Sequence, residues 1–162
     1  MTIKGNTISL RSLLKSDAEF IFKWENDKAN WRVSDTLKPY SKVEIEDFIN
    51  NQKDIYSDKQ LRLMICLNKN PTDCIGCIDL FNFDAKIKKA GIGILISEEF
   101  RKNGFASEAL KLLVTHCFNK LYLRQLYCHV HADNIASLNL FKKNGFSQIK
   151  NENDTLLLEI TN

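Results

Sequence analysis

The stretch that most constrains this chain is the junction at residues 92–122. An apolar run, Ile92-Gly93-Ile94-Leu95-Ile96, leads into Arg101-Lys102-Asn103-Gly104-Phe105-Ala106. A segment with apolar residues at helical spacing follows, residues 107–122. A strand, a tight glycine loop and a helix start in that order build a place to hold a phosphate. The first N–H groups of a helix have no internal partner and sit at the positive end of its dipole, so a loop that aims several at one point binds an anion. Gly104 and Ala106 are small, as close approach of a ligand to the backbone demands. Taken alone, the loop equally suits an ordinary strand-to-helix turn.

Around this junction the pattern is one of short strands and amphipathic helices. Residues 7–13 alternate as a strand does, with Ile8, Leu10 and Leu13 inward. Ser16-Asp17-Ala18-Glu19 spells a capping box for a helix carrying Phe20, Ile21 and Trp24 to about Asn26. Residues 29–40 are irregular. A second helix starts after Ser41, with Glu44 three residues on, and turns Val43, Ile45, Phe48, Ile49 and Ile55 inward. Strands follow at 60–67, 74–83 and 88–97. After the long helix come a strand at 124–131, a helix at 134–143 stopped by Asn144-Gly145, and a hairpin from 146–149 and 156–160. The order β-α-α-β-β-β-α-β-α-β-β implies an α/β fold with a mixed sheet and helices on both faces. No repeat or linker divides residues 1–162, so a single domain is expected.

Composition excludes several classes. With 44% hydrophobic and 27% charged residues the chain has the make-up of a soluble globular protein. Its apolar runs are about six residues, far short of the roughly 20 that cross a bilayer, and residues 1–6 start no secretory signal. A cytoplasmic location with no membrane partner is expected. The basic residues are dispersed, with no basic-aromatic module, which argues against nucleic acid. Gly91-Ile92-Gly93 lacks the third glycine of a dinucleotide fingerprint and precedes the apolar run instead of following it. Five cysteines, an odd number, suit buried reduced thiols; Cys74-Ile75-Gly76-Cys77 lies in a strand pattern without the second ligand pair a structural zinc requires, so no metal is expected. The net charge of +3 conceals a division. Residues 17–58 carry ten acids and six bases, a balance of −4, against +7 elsewhere, an arrangement that suits a cationic ligand on one side and a phosphate-bearing one on the other.

The second informative stretch is Asn134-Ile135-Ala136-Ser137-Leu138-Asn139-Leu140-Phe141-Lys142-Lys143-Asn144-Gly145-Phe146. With the glycine loop about thirty residues earlier and a strand between, it resembles the signature of the GNAT superfamily of acyl-CoA-dependent N-acyltransferases. The loop matches that family's Arg/Gln-x-x-Gly-x-Gly/Ala motif, and the later stretch its Asn-x-x-Ser…Gly-Phe motif. Residues 94–146 look most like the branch that includes spermidine N-acetyltransferases and ribosomal-protein N-terminal acetyltransferases. The resemblance implies a GNAT-like fold, a twisted, mostly antiparallel sheet of roughly seven strands with four helices, splayed around the cofactor. It also implies transfer of an acetyl group from acetyl-CoA to a primary amine, by direct attack in a ternary complex. The acceptor would be a polyamine, a peptide N-terminus or another small amine; the oligomeric state stays open, a homodimer among the choices. An acyl-CoA sensor without transferase activity is the alternative.

Carried onto this chain, the resemblance puts the pyrophosphate on the backbone of Arg101, Lys102, Asn103, Gly104, Phe105 and Ala106, with charge from Arg101 or Lys102. The preceding strand, Ile94, Leu95 and Ile96, would carry a bulge, splay from the next strand and pair with pantetheine, a backbone N–H near Leu95 facing the thioester oxygen. Asn134 would reach the pantetheine, and Lys142 or Lys143 the ribose phosphate. The family's usual glutamate and tyrosine positions hold Gly91 and Phe141, so Ser137 is the nearby hydroxyl left to protonate the departing thiolate, and the base is unassigned. His129 and His131 leave one face of their strand and are candidate proton acceptors; Asp79 would help hold an ammonium group. Substrate recognition falls on the segment from Trp24 through Trp31 and Asp35 to Tyr40, whose rings and carboxylates suit a cation.

Overall fold

Leu63, Met64, Ile65 and Cys66 form an unbroken apolar run because the sheet containing them is covered on both faces. The computed structural model describes residues 1–27 and 39–162. Among these residues the sheet has eight strands: β1 (Thr2–Lys4), β2 (Ile8–Ser12), β3 (Leu61–Leu67), β4 (Asn70–Asp84), β5 (Lys89–Ile96), β6 (Gln125–His131), β7 (Ser147–Glu152) and β8 (Thr155–Thr161). Their spatial order is β1-β2-β3-β4-β5-β6-β8-β7, antiparallel throughout except for β5 beside β6. Five α-helices are described: α1 (Ala18–Glu25), α2 (Lys42–Asn50), α3 (Ile55–Asp58), α4 (Phe105–Asn119) and α5 (Ile135–Lys143). The architecture is the expected mixed sheet, with one more strand and one more helix. β1 spans three residues, too few to display alternation, and forms by pairing Thr2, Ile3 and Lys4 with Arg11, Leu10 and Ser9 of β2. α3 is a single turn, capped by Asp54, whose carboxylate accepts from the Ser57 N–H at 2.8 Å.

Alternate residues divide the core. Leu63 and Ile65 of β3, Ile78 and Leu80 of β4 and Ile92 of β5 pack with Ala109, Leu110 and Leu113 of α4 and with Leu138 and Phe141 of α5. Met64, Cys66 and Cys77 point the other way and meet Ala18, Ile21 and Trp24 of α1 and Ile45 of α2. Each of the large side chains in these clusters contributes about 1.5–3 kcal/mol by leaving water.

Two local expectations are corrected. Ser16 does not cap α1. The Asp17 carboxylate instead accepts from the Leu14 N–H at 2.7 Å and from both Nη atoms of Arg11 at 2.8 Å, so it ties a 3-10 turn to β2. Val43 is exposed, because α2 turns only Ile45 fully inward and leaves Phe48 and Ile49 half-buried. The box at Ser41 forms as expected: Ser41 Oγ accepts from the Glu44 N–H at 3.1 Å and Glu44 Oε2 from the Ser41 N–H at 2.8 Å.

The feature that positions the site is the parting of β5 and β6. They pair only at Lys89 with Gln125, Ala90 with Leu126 and Gly91 with Tyr127. Beyond that point β5 stays with β4 as far as Gly76 opposite Ile96, and β6 stays with β8 as far as His131 opposite Thr155. The expected bulge in β5 is absent. Its register against β4 runs unbroken from Gly91 to Ile96, and the irregularity falls between Phe81 and Asp84 of β4. The gap opens because each strand follows its other neighbour.

Candidate active site

The parting strands carry backbone N–H and C=O groups with no strand partner across the gap. A cleft of about 440 Å³ opens there, lined by Ile92, Gly93, Ile94 and Leu95 of β5, Cys128 to His131 of β6, and Asn134, Ser137 and Phe141 at the start of and along α5. Its volume is in the range of a small-molecule site.

At the far end of β5 the glycine loop turns sharply. Lys102 and Gly104 both have left-handed backbone, φ +62° and +80°. Asn103 Nδ2 donates to the carbonyls of Phe100 and Arg101 at 3.2 and 3.0 Å and fixes the turn. The first intrahelical bond of α4 is from the Glu108 N–H to the Gly104 carbonyl at 3.1 Å, so the N–H groups of Phe105, Ala106 and Ser107 have no partner within the helix. A Cβ placed on Gly104 would meet nothing within 4 Å, so the loop presents open backbone. Arg101 is less free than its charge suggests, because Nε donates to the Ile96 carbonyl at 2.9 Å and holds the loop to the end of β5. Ile96 is buried beneath this turn and lines no part of the cleft.

α5 closes the other wall. Asn134 caps it, Oδ1 accepting from the Ser137 N–H at 3.2 Å, which leaves the amide NH2 to donate elsewhere. Phe141 is buried edge-on against Phe146, with ring centroids 5.0 Å apart, and serves as wall. Lys142 and Lys143 are exposed in the last turn and lie outside the lining. Asn144, read from the sequence as part of the helix stop, also donates to Ser107 Oγ at 3.1 Å and ties the end of α5 to the first turn of α4.

The cleft continues onto the sheet face beneath α1, where Trp24, Glu25, Tyr40, Arg62, Cys77, Asp79 and Phe81 line it. Arg62 sits between two carboxylates. Its Nε and Nη2 donate to the two oxygens of Asp79 at 2.8 and 2.7 Å, and Nη1 donates to Glu25 at 2.8 Å. Burial alone would lower the guanidinium, but Asp79 and Glu25 outweigh it and raise its pKa further. The formal charges of the trio leave one net negative charge at this corner. Asp79 therefore faces the cleft as expected, held by a partner that sequence inspection missed; only the register that sets Arg62 opposite Asp79 reveals the pair. Burial pushes the Cys77 thiol up to about 12, consistent with a packing role. Cys66 and Cys74 lie 2.9 Å apart as neighbours across β3 and β4, and all five cysteines are free and buried.

Beside this corner an aromatic row crosses the open face. Phe81 and Tyr127 meet edge to face at 5.8 Å, and Tyr127 meets His129 at 5.7 Å. The Phe81 ring also explains Gly91. A Cβ there would lie 2.2 Å from Phe81 Cε2, so the ring occupies the space a glutamate at this position would need. His129 and His131 both line the cleft. Trp31 and Asp35 lie outside the described residues. Among the described residues no helix is long and apolar enough to cross a membrane, and no group of three or more His, Cys, Asp or Glu side chains is placed to hold a metal.

Comparison with known proteins bears on this geometry. The family model of the acetyltransferase (GNAT) domain matches residues 7–147. Spermidine N(1)-acetyltransferase of Escherichia coli K12 is 26% identical over 144 residues, covering 88% of this chain and 74% of that protein. An uncharacterised N-acetyltransferase of Bacillus subtilis, YoaA, is 29% identical over 147 residues, covering 90% and 82%. Among solved structures, spermidine N-acetyltransferase of Vibrio cholerae in complex with CoA and spermine superposes with a TM-score of 0.87 at 22% identity, covering 97% of this chain and 96% of that one.

Proposed function

The chain belongs to the GNAT acetyltransferase family and is an acetyl-CoA-dependent N-acetyltransferase, and from that premise we propose that its acceptor is a polycationic amine of the polyamine type. The observation that carries this reading is the continuity of one cleft from the parted strands to the acidic corner of Glu25, Arg62 and Asp79. An amine with further positive charges gains from that corner and from the rings of Trp24 and Tyr40. The spermidine acetyltransferases among the relatives point the same way.

In this reading residues 1–162 act as one catalytic domain. The backbone of Arg101 to Ala106 holds the pyrophosphate, Lys102 adding charge, while Lys143 reaches the ribose phosphate. The pantetheine arm lies along Ile94 and Leu95, held across the gap by the amide NH2 of Asn134. An N–H near Leu95 stabilises the oxyanion. The amine nitrogen attacks the thioester carbon, the C–S bond breaks, and the Ser137 hydroxyl supplies a proton to the departing sulfur. Trp31 and Asp35 complete acceptor recognition. Holding both substrates in line supplies much of the rate.

Mass spectrometry of polyamines, N-terminal peptides and aminoglycosides incubated with acetyl-CoA and the protein tests the acceptor. Acetylated polyamine in excess over the others is expected; preferential acetylation of peptides or aminoglycosides overturns it. Gly104→Val tests the donor site. Its side chain enters open space but at φ +80°, so the protein should fold with a modest loss of stability while acetyl-CoA affinity is lost. Unaltered affinity would remove the loop from the donor site. Ser137→Ala should lower kcat with acetyl-CoA affinity unchanged; an unchanged kcat would remove the hydroxyl from the mechanism.

A further inference from the structure

The reaction needs a proton acceptor, because a polyamine is protonated near neutral pH and the strand position that would carry a glutamate is Gly91 under Phe81. Two residues further along β5 the situation reverses. A Cβ on Gly93 would meet only Phe81 Cε1, at an ordinary contact distance of 3.9 Å, so the space above Gly93 is open. Asp79 lies beside this gap, paired with Gly93 across β4 and β5. On the other side stands His129. Gly91 is level with Tyr127 where β5 and β6 last pair, and counting two residues on along each strand puts Gly93 and His129 on facing sides of the parting, on the same face as Gly91 and Tyr127. His131 and Leu95 lie two residues further past the last pair. Asp79 already accepts from Arg62 with both oxygens. The His129 ring is exposed, lines the cleft and is steadied edge to face by Tyr127.

We propose that His129 takes the acceptor amine's proton across the slot that Gly93 leaves open between His129 and Asp79. The assignment rests on the acetyltransferase reading above. The ammonium group, attracted by the acidic corner, gives one proton to the His129 imidazole, directly or through one water. The freed lone pair then attacks the thioester carbon. The second proton lost by nitrogen balances the one taken up by the leaving thiolate, and the His129 imidazolium returns its proton to solvent. Charged groups around the imidazole are His131 on its own strand, Glu159 of β8 with Lys89 of β5 beside Tyr127, Asp79 of β4, Arg62 of β3 and Glu25 of α1.

The test is kcat/KM for a polyamine against pH, for wild type, His129→Gln and His131→Gln, with acetyl-CoA affinity measured by calorimetry. His129→Gln should lose about 10²–10⁴-fold in kcat/KM and flatten the rising limb of the pH profile. Acetyl-CoA affinity should not change, and added imidazole should recover part of the rate. Gly93→Ala, which narrows the slot without touching either partner, should raise the polyamine KM. His131→Gln should keep the limb. A His129→Gln enzyme with the wild-type rate and pH profile overturns the assignment while leaving the transferase reading intact. Wild-type protein that binds acetyl-CoA and acetylates no amine overturns both.

Discussion

Replacing Gly91 with alanine tests why this position carries no side chain. The new Cβ would lie 2.2, 2.5 and 2.7 Å from three atoms of the Phe81 ring, against ordinary carbon contacts of about 3.5–4.0 Å. The ring must move by about 1 Å or more, and it is hemmed in by Tyr127 at 5.8 Å. Overpacking of this kind costs about 1–3 kcal/mol, which at about 2–4 °C per kcal/mol for a chain of this size lowers Tm by roughly 2–12 °C. The backbone itself raises no objection, since Gly91 is not among the left-handed residues. In a Phe81→Ala background the sign should therefore invert. There Gly91→Ala meets open space and gains about 0.4–1 kcal/mol by restricting the unfolded chain. Urea denaturation of the wild type, both single variants and the double variant gives the coupling directly. Equal destabilisation by Gly91→Ala in both backgrounds, or none in either, would refute the claim that Phe81 fills the glutamate's place.

Arg11→Met leaves the Asp17 carboxylate, 2% exposed, without its bidentate partner and should cost about 3–5 kcal/mol in urea denaturation; a loss under 1 kcal/mol would show that Asp17 does not depend on Arg11. Burial alone would raise the Glu108 carboxyl, but the Thr7 hydroxyl and the N–H groups of Thr7, Ile8 and Asn6 together hold it below its usual range. Its folded pKa being depressed, its contribution is full above the unfolded value and fades as pH falls through the folded one. The stability difference between wild type and Glu108→Gln should accordingly shrink on acidification below about pH 4, and a constant difference from pH 7 to pH 3 would contradict the linkage.

The glycine loop and the start of α5 are legible because their geometry is local. Gly104 can adopt φ +80° where residues with a Cβ are strained, and Asn134 caps the helix that carries Ser137, so short motifs announce both the loop and the wall facing it. Strand and helix placement follows from alternation and from boxes such as Ser41 with Glu44. Reading fails where a residue's role is decided by something far along the chain. Asp17 looks like part of a helix cap, yet Arg11 of β2 claims it. β1 has no pattern of its own and exists only through its pairing with β2.

The sequence by itself determined the family and most of the order of elements, since the two motifs that carry the resemblance, Arg101 to Ala106 and Asn134 to Phe146, are each written in residues a few positions apart. Tertiary structure decided the acidic and aromatic corner of the cleft. Arg62 meets Asp79 and Glu25, Phe81 covers Gly91, and Gly91 comes level with Tyr127 only once register and strand order are set. Those pairings join residues 10 to 37 positions apart, and no local preference encodes them: a slip of one residue in β4 would send Asp79 and Phe81 to the opposite face.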